Sequence, residues 1–300
     1  MKRRILSIAV AMVMCLALLP APAGAANPTT YYVDNDIVYL KTGGSYIITQ
    51  NDPNTPTTNF ITIGTPGSSD VFDIILRNVN IDVSQKQYGT AINISSGAQV
   101  TITLEGNNCV KSWEKRAGLQ ISDSYYNSNS KLTIRGEGSL EAWGGDYGAG
   151  IGAALSDSCG TIQIEGGTIR AYGGKGAAGI GGGDVIAAKL SSGANGGPLT
   201  INISGGTIYA EGKENPNETN PVTSYGAAGI GGGYFGGNTT INISGGDITA
   251  VGVAKAPCIG TNTSSWITIS GGTIHTRRNP DDAVKDAQEI GAYNRLANGF

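Results

Sequence analysis

The chain has 300 residues with 20 basic and 23 acidic side chains, and 47 of its residues are Gly. This Gly content is about twice the usual share, but the Gly-X-Y period of collagen is missing, and regularly placed Ile, Leu and Val exclude plain low complexity. No basic run is present, which argues against nucleic acid and anionic membranes as partners.

Residues 1–26 have the pattern of a secretory signal peptide. Three basic residues precede an apolar run over residues 5–19, and small residues at 23–25 suit cleavage. The apolar run is short for a membrane span, and no later stretch qualifies, so we expect no membrane insertion after signal removal. Loss of the three basic residues lowers the net charge from −3 to −6. We therefore expect an exported protein.

Residues 27–69 are predicted to form an N-terminal cap region, because a coiled repeat must hide its otherwise bare core at the end. The coil itself is predicted over residues 70–300, as a parallel β-helix of about seven turns that is truncated or capped at 279–300.

Three cysteines follow the signal peptide, Cys109, Cys159 and Cys258. An odd number at unrelated repeat positions is untypical of a disulfide framework, so we expect buried free thiols.

One unit, residues 160–183, describes the repeat. Two alternating runs, 161–164 and 168–171, flank Gly166-Gly167, and a third run at 178–181 completes the unit. Alternation with period two predicts strands with one buried face, and Gly suits the corners between them. Related units occupy 131–152, 199–233 and 239–260. Three strands per turn without helices predict an all-β fold, a right-handed three-sided parallel β-helix, or solenoid.

Apolar positions can be followed from turn to turn in each predicted strand. The first strand contributes the pairs Ile74/Leu76, Ile102/Leu104, Leu132/Ile134, Ile162/Ile164, Ile201/Ile203, Ile241/Ile243 and Ile267/Ile269. The second strand contributes Leu140, Ile169, Ile208, Ile248 and Ile274. The third strand contributes Ile92, Leu119, Ile151, Ile180, Ile230, Ile259 and Ile290. Stacked turns would place these side chains in apolar ladders inside the coil.

The repeated Gly-Thr-Ile and Gly-Ile-Gly-Gly-Gly motifs of these units resemble Gly-rich parallel β-helix repeat proteins exported by Gram-positive anaerobes, which have the pectate-lyase-like superfamily shape. The resemblance covers about residues 70–278. It implies a carbohydrate-binding or adhesin-type protein at the cell surface of a Gram-positive-type bacterium, with a polysaccharide or a host or cell-surface glycan as partner. Because many functions share this shape, the resemblance bears on architecture more than on activity.

Catalysis has little support in the sequence. The pectin-cleaving β-helix enzymes use clustered Asp residues with a prominent Arg, Lys or His, whereas here the acidic residues are scattered. The single His, His275, is expected to be an exposed surface residue without metal-ligand spacing. We therefore expect no catalytic residues and no enzyme. A polysaccharide lyase or glycoside hydrolase of the pectin-degrading type is the alternative.

The candidate binding residues lie on the outward face of the second strands and in insertions. Trp143 is predicted to lie over Tyr172 and Glu211, with Arg170 and Tyr209 beside them. Flat aromatic faces with polar neighbours suit sugars, but ladder stacking that stabilises the sheet would explain the same pattern. A second aromatic group in the insertions would either wall a groove or tuck loops onto the coil: Tyr125, Tyr126, Tyr234 and Phe235.

Metal sites and other cofactors are not predicted. Asp and Asn at 34–36 and 51–52 supply oxygen atoms, but no calcium-binding loop motif accompanies them, and Asn-Asp turns explain them equally well. Calcium is thus an alternative without a supporting motif.

The favoured function is non-catalytic adhesion or polysaccharide binding. A third alternative is a purely structural surface stalk with a polar outer ladder such as Thr200, Asn202, Thr240 and Asn242.

Overall fold

The computed structural model describes residues 27–122, 129–185, 199–215, 226–234, 238–253, 256–261, 264–278 and 289–292. The predicted signal peptide and most of residues 279–300 lie outside these ranges. In chain order, the strands are β1 (Thr29–Tyr32), β2 (Val38–Leu40), β3 (Gly44–Thr49), β4 (Ile61–Ile63), β5 (Val71–Arg77), β6 (Asn80–Asp82), β7 (Ile92–Ile94), β8 (Gln99–Glu105), β9 (Asn107–Lys111), β10 (Leu119–Ile121), β11 (Lys131–Gly136), β12 (Ser139–Trp143), β13 (Ile151–Gly152), β14 (Thr161–Ile164), β15 (Thr168–Tyr172), β16 (Ile180–Gly181), β17 (Leu199–Ile203), β18 (Thr207–Glu211), β19 (Ile230–Gly231), β20 (Thr239–Ile243), β21 (Asp247–Gly252), β22 (Ile259–Thr261), β23 (Ser265–Ile269), β24 (Thr273–Arg278) and β25 (Ile290–Ala292).

These strands form three parallel sheets, which confirms the three-sided parallel β-helix. The first-strand sheet has the order β1-β3-β5-β8-β11-β14-β17-β20-β23, and the third-strand sheet has the order β2-β4-β7-β10-β13-β16-β19-β22-β25. Between them along the chain lies the second-strand sheet, β6-β9-β12-β15-β18-β21-β24. From β5 onward, the described chain passes through the first-, second- and third-strand sheets in turn, whereas β1 to β4 alternate between the first- and third-strand sheets. No helix among these residues is long and apolar enough to cross a membrane.

The coil extends through the region that the sequence predicts as a cap. Strands β1 and β3 pair in parallel in the first-strand sheet, and β2 pairs with β4 in the third-strand sheet. Val33, Val38 and Leu40 of the first turn are buried in the continuous core. Residues 27–69, the predicted N-terminal cap region, thus add strands to the same stack of turns. Two of the sheets reach nine strands, and seven strands of each lie within residues 70–300.

The apolar ladders of the second and third strands follow the predicted registers. Leu119 pairs with Ile92 and Ile151, and the column continues without a shift to Ile290. The second-strand column likewise runs in register from Leu140 to Ile274. Each fully buried Ile or Leu in these columns stabilises the fold by about 1.5–3 kcal/mol.

One first-strand register differs from the predicted one. Ile134 pairs with Ile102, and Leu132 pairs with Val100 rather than with Ile102. Leu104 is left opposite Gly136. A shift by two residues keeps every apolar side chain on the inner face, so the hydrophobic pattern alone does not exclude it.

The Gly-Ile-Gly-Gly-Gly runs mark tight backbone contacts between turns. The third-strand glycines stack directly on one another, as Gly181 pairs with Gly231. Gly231 has a φ of 136°, and a Cβ there would collide with the carbonyl oxygen of Gly260 in the next turn. The corners after the first strands also use glycine, with φ near 90° at Gly167 and Gly206. Both features agree with tight corners, the explanation that the sequence favours.

The three described cysteines are free thiols, as predicted. Cys159 and Cys258 are buried, whereas Cys109 is only half-buried on the outer face of the second-strand sheet. Burial raises the pKa of the Cys109 thiol, and the charge of Glu141 beside it raises the pKa further.

Candidate functional site

The outer face of the second-strand sheet carries two columns of side chains that cross successive turns. The first column contains Cys109, Glu141, Arg170, Tyr209, Thr249 and His275. The second column contains Lys111, Trp143, Tyr172, Glu211, Val251 and Arg277. The predicted neighbours Trp143, Tyr172 and Glu211 are thus in register, with Arg170 and Tyr209 beside them. The parallel pairing of β9, β12, β15 and β18 places them there.

An aromatic stack occupies the middle of these columns. The rings of Trp143 and Tyr172 are stacked with centroids 4.0 Å apart and an interplanar angle of 17°. Tyr209 continues the stack at 5.7 Å from Tyr172, with its ring tilted by 48°. On the other side, Lys111 Nζ lies 5.7 Å from the centroid of a Trp143 ring. Trp143 and Tyr172 therefore each cover one face of the other ring.

Hydrogen bonds to neighbouring carboxylates hold two of these rings in place. Trp143 Nε1 donates to Glu141 Oε1 at 2.7 Å, and the Tyr209 hydroxyl donates to Glu211 Oε2 at 2.6 Å. Burial raises the pKa of Tyr209, and the hydrogen bond to Glu211 raises it further. Tyr209 therefore remains a neutral donor at physiological pH. The two bonds join residues two apart on one strand, which restricts the rotamers of the aromatic side chains.

A groove of about 760 Å³ runs beside this stack, with lining residues from six successive turns, Ser84 to Val253. Lys111, Trp143, Tyr172 and Glu211 form one side, and the turns that follow β9, β12, β15 and β18 form the other. Two of those turns begin with glycine pairs, Gly144-Gly145 and Gly173-Gly174, which leave the groove free of side chains at these positions. A Cβ at Gly145 would collide with the carbonyl oxygen of Trp113 in the preceding turn, so the close approach of these two turns depends on glycine.

Charged groups of both signs line the groove. The lysines are Lys111, Lys175 and Lys213, and the acidic residues are Glu114, Asp146, Glu211 and Glu214. Lys175 Nζ forms an ion pair with Asp146 Oδ2 at 2.6 Å. This hydrogen bond, together with the charge of Asp146, raises the pKa of the Lys175 ammonium group. The groove thus offers both hydrogen-bond donors and acceptors, which suits a ligand rich in hydroxyl groups.

The structure separates the predicted site residues into three sets. Trp143, Tyr172 and Glu211 line the groove, whereas Arg170 and Tyr209 lie in the adjacent column, outside the lining. Tyr234 does not wall a groove, because only 4% of its surface is exposed. This burial agrees with the alternative that the aromatic group packs onto the coil. Tyr125, Tyr126 and Phe235 lie outside the described residues.

Several groove residues were missed by reasoning from the sequence. Trp113, Asp146 and Lys175 lie in turns after the second strands, where the alternation of a strand no longer indicates direction. A local signal was present, because an aromatic residue followed by two glycines occurs at both Trp143 and Tyr172. When an aromatic residue followed by two residues without side chains recurs in successive turns, the pattern indicates a groove beside the rings.

The Asp and Asn residues that could supply oxygen atoms to calcium form hydrogen bonds with neighbouring residues. The Asp34 carboxylate accepts hydrogen bonds from the Asn51 backbone at 2.9 Å and side chain at 3.2 Å, and Asp52 accepts from Asn54 and Thr55. Turn formation therefore accounts for these oxygens. Within the described parts of the chain, no group of three or more His, Cys, Asp or Glu could hold a metal ion. His275 is exposed, with Nε2 3.9 Å from Asp247 Oδ1.

Comparison with known proteins supports the architecture. A family model described as a beta helix repeat matches residues 132–154, 162–184, 201–234 and 241–260. Each matched segment starts in a first strand and reaches the third strand of the same turn or the residues just after it. No curated protein matches the chain, and no solved structure matches it. Because this fold serves both enzymes and non-enzymes, the function has to be argued from the groove.

Proposed function

We propose that this parallel β-helix repeat protein is an exported, non-catalytic protein that binds a polysaccharide or cell-surface glycan in the groove beside its second-strand sheet. The observation that carries the proposal is the position of the Trp143–Tyr172 stack along a groove lined by lysines and carboxylates. Aromatic surface meets the C–H groups of a sugar, and charged donors and acceptors meet its hydroxyl groups.

The geometry favours an elongated ligand that lies along the stack of turns. The residues that line the groove come from six successive turns, which lie about 4.8 Å apart. Trp143 is 37% exposed, so its indole edge is open to a ligand although Tyr172 covers one face. Because hydrogen bonds and stacking already restrict these rings, little side-chain entropy is lost on binding.

The hydrogen bonding of the carboxylates supports a non-catalytic role. Glu141, Asp146 and Glu211 accept hydrogen bonds from Trp143, Lys175 and Tyr209, respectively. In these contacts the three carboxylates position the side chains beside them.

Binding is tested with the purified protein on an array of glycans, with added Ca²⁺ and with chelator. Trp143→Ala should weaken binding about tenfold, the loss expected when one aromatic contact is removed. Trp266→Ala is the matched control, because Trp266 is exposed on the first-strand sheet and does not line the groove. Equal losses in both variants, or no binding by the parent protein, would contradict the proposal.

The same assay separates the alternatives. Release of reducing or unsaturated sugar ends from a bound glycan would establish catalysis, and the non-catalytic part of the proposal would fail. Binding that disappears with chelator while Trp143→Ala has no effect would replace the aromatic site with a metal-bridged one.

A structural stalk is the second candidate, and the ring stacking itself favours it. Stacked side chains between turns stabilise a sheet without any ligand, as the Trp143–Tyr172 pair and the hydrogen bond from Asn242 Nδ2 to Asn202 Oδ1 at 2.9 Å show. A stalk predicts that Trp143→Ala lowers stability while the parent protein binds no glycan. The thermal unfolding midpoint of each variant should therefore be measured beside its binding.

A further inference from the structure

A second cavity, of about 410 Å³, lies on another side of the coil, over the third-strand sheet. Its base contains Thr62, Asn93 and Gln120, which pair across three successive turns. The chain around residues 86–90 and Arg116 form part of its rim. None of these residues lines the groove beside the second-strand sheet, so the cavity is a separate feature.

The charge of this cavity is opposite to that of the chain. Lys86 and Arg116 line it, and none of its described lining residues is acidic, whereas the chain as a whole has a net charge of −3. Lys86 Nζ lies 4.9 Å from the centroid of the Phe60 ring and donates a hydrogen bond to the Thr58 carbonyl oxygen at 3.3 Å. Arg116 forms no ion pair with any residue in the described ranges. Its guanidinium group is therefore available to donate hydrogen bonds to an oxyanion.

A buried hydrogen-bond network orients another donor in the same cavity. Gln120 is 3% exposed, and its Nε2 donates to Asn93 Oδ1 at 3.2 Å and to Ser122 Oγ at 3.0 Å. Ser122 Oγ donates to Asn93 Oδ1 at 3.1 Å. Because the Asn93 oxygen already accepts two hydrogen bonds, its Nδ2 group is the one left for a ligand. The cavity thus combines an amide donor with two cationic side chains.

Aromatic rings line the same cavity. Tyr88 is 67% exposed and has a φ of 63°, a conformation that bulky residues rarely adopt. Its ring contacts Trp113 edge-on, with the ring centroids 5.4 Å apart. Two backbone hydrogen bonds stabilise the turn that carries Tyr88, from Lys86 N to Val83 O and from Gly89 N to Lys86 O. A strained backbone that keeps a large ring exposed beside a cavity is typical of a functional position.

We propose that this cavity binds an acidic sugar residue, with the oxyanion held by Arg116, Lys86 and Asn93 Nδ2 and the sugar ring beside Tyr88. A carboxylate and a sulfate present the same oxyanion chemistry to these donors. A peptide is disfavoured, because β4, β7 and β10 are paired on both sides and offer no free edge for an added strand. The proposal does not rest on the function of the groove.

The first experiment measures binding of glucuronic acid, glucose 6-sulfate and glucose to the purified protein by titration calorimetry. We expect the acidic sugars to bind at least about tenfold more tightly than glucose, because a charged hydrogen bond contributes that much. Binding should weaken as salt is added. Preference for glucuronic acid or for glucose 6-sulfate identifies the source of the oxyanion. Equal binding of glucose, or no binding of either acidic sugar, would overturn the proposal.

Two variants assign the binding to the cavity. Lys86→Gln with Arg116→Gln should weaken binding of the acidic sugar about tenfold or more, since both cationic donors are lost. Lys41→Gln with Lys131→Gln is the charge-matched control, because these exposed lysines lie elsewhere on the coil. An equal loss in the control would mean that only net charge matters and would overturn the site.

A third variant removes one hydrogen-bond donor and leaves the internal hydrogen bonds of the cavity in place. Asn93→Asp keeps an oxygen that accepts the hydrogen bonds from Gln120 and Ser122, while it replaces the free donor with a negative charge. Loss of acidic-sugar binding with an unchanged circular dichroism spectrum is expected, and retained binding would contradict the proposal. Trp266→Ala, which lies outside both the cavity and the groove, should leave this binding unchanged.

Discussion

At the scale of single residues, the glycines of the third strands determine how closely the turns approach. Gly152, Gly181, Gly231 and Gly260 have φ values between 133° and 140°, and a Cβ on any of them would collide with the backbone of the following turn. A side chain therefore introduces strain and forces the sheet apart. This is a stronger constraint than the usual preference for glycine at a corner, because two independent costs add.

Gly231→Ala should destabilise the protein by about 2–5 kcal/mol, the combined cost of an unfavourable φ and overpacking. Gly67→Ala is the matched control, since Gly67 has a φ of 82° but no atom within 4 Å of the added Cβ. Gly67→Ala should lower the free energy of unfolding by only about 1–2 kcal/mol, because only the backbone conformation is unfavourable there. Urea unfolding of both variants measures the difference. Equal costs would mean that the turns separate freely at this position.

How well single site residues were predicted depends on where they lie. Trp143, Tyr172 and Glu211 could be placed in one column because alternation along a strand determines which side chains face outward. The same reasoning could not place Lys175 or the buried Tyr234, because they lie in connections. There, direction depends on backbone angles and long-range packing that no short sequence pattern encodes.

At the scale of the strands, the accuracy of the predicted registers follows from how distinctive each pattern is. From β13 onward, each third strand carries one Ile followed by glycine, so only one alignment brings these residues together. The first strands carry several alternating apolar residues, and a shift by two preserves their burial. The pairing of Leu132 with Val100 is such a shift.

Ile180→Asp tests the dependence of the fold on a third-strand ladder. Ile180 is fully buried between Ile151 and Ile230, so an unpaired carboxylate there would cost several kcal/mol in addition to the lost apolar contacts. We expect the variant to lose trypsin resistance and not to be secreted as folded protein. Gln163→Asp is the control, because Gln163 faces outward between Thr133 and Asn202. Normal trypsin resistance of Ile180→Asp would contradict the assigned core.

At the scale of the whole molecule, the regularity of the sequence and the regularity of the coil do not coincide. The matches to the beta helix repeat begin at residue 132, yet the sheets start at Thr29. The early turns lack the glycine pairs of the later ones, and one turn replaces its second strand with a single bridge between Thr57 and Ile81. Backbone pairing with the neighbouring turn is enough to continue a solenoid where the sequence repeat has faded.

The first and the last described turns differ in how well their apolar side chains are covered. Val33 and Val38 of the first turn are buried, whereas Ile269 and Ile290 of the last described turn are 43% and 39% exposed. In a solenoid each turn is stabilised mainly by its neighbours, so a turn with one covered side contributes less to stability. The last turn should therefore open at a lower free energy than the turns before it.

Ile243 and Ile269 provide a matched test, because they pair directly in the first-strand ladder. Ile243 is 1% exposed, so Ile243→Ala should cost about 2–5 kcal/mol through lost burial and a new cavity. Ile269→Ala should cost less than about 1 kcal/mol, because much of its side chain already meets solvent. Chemical unfolding gives both values, and hydrogen exchange should show faster exchange in β23 than in β20. If Ile269→Ala proved as damaging as Ile243→Ala, the last turn would belong to the cooperative core, and some further contact would have to cover it.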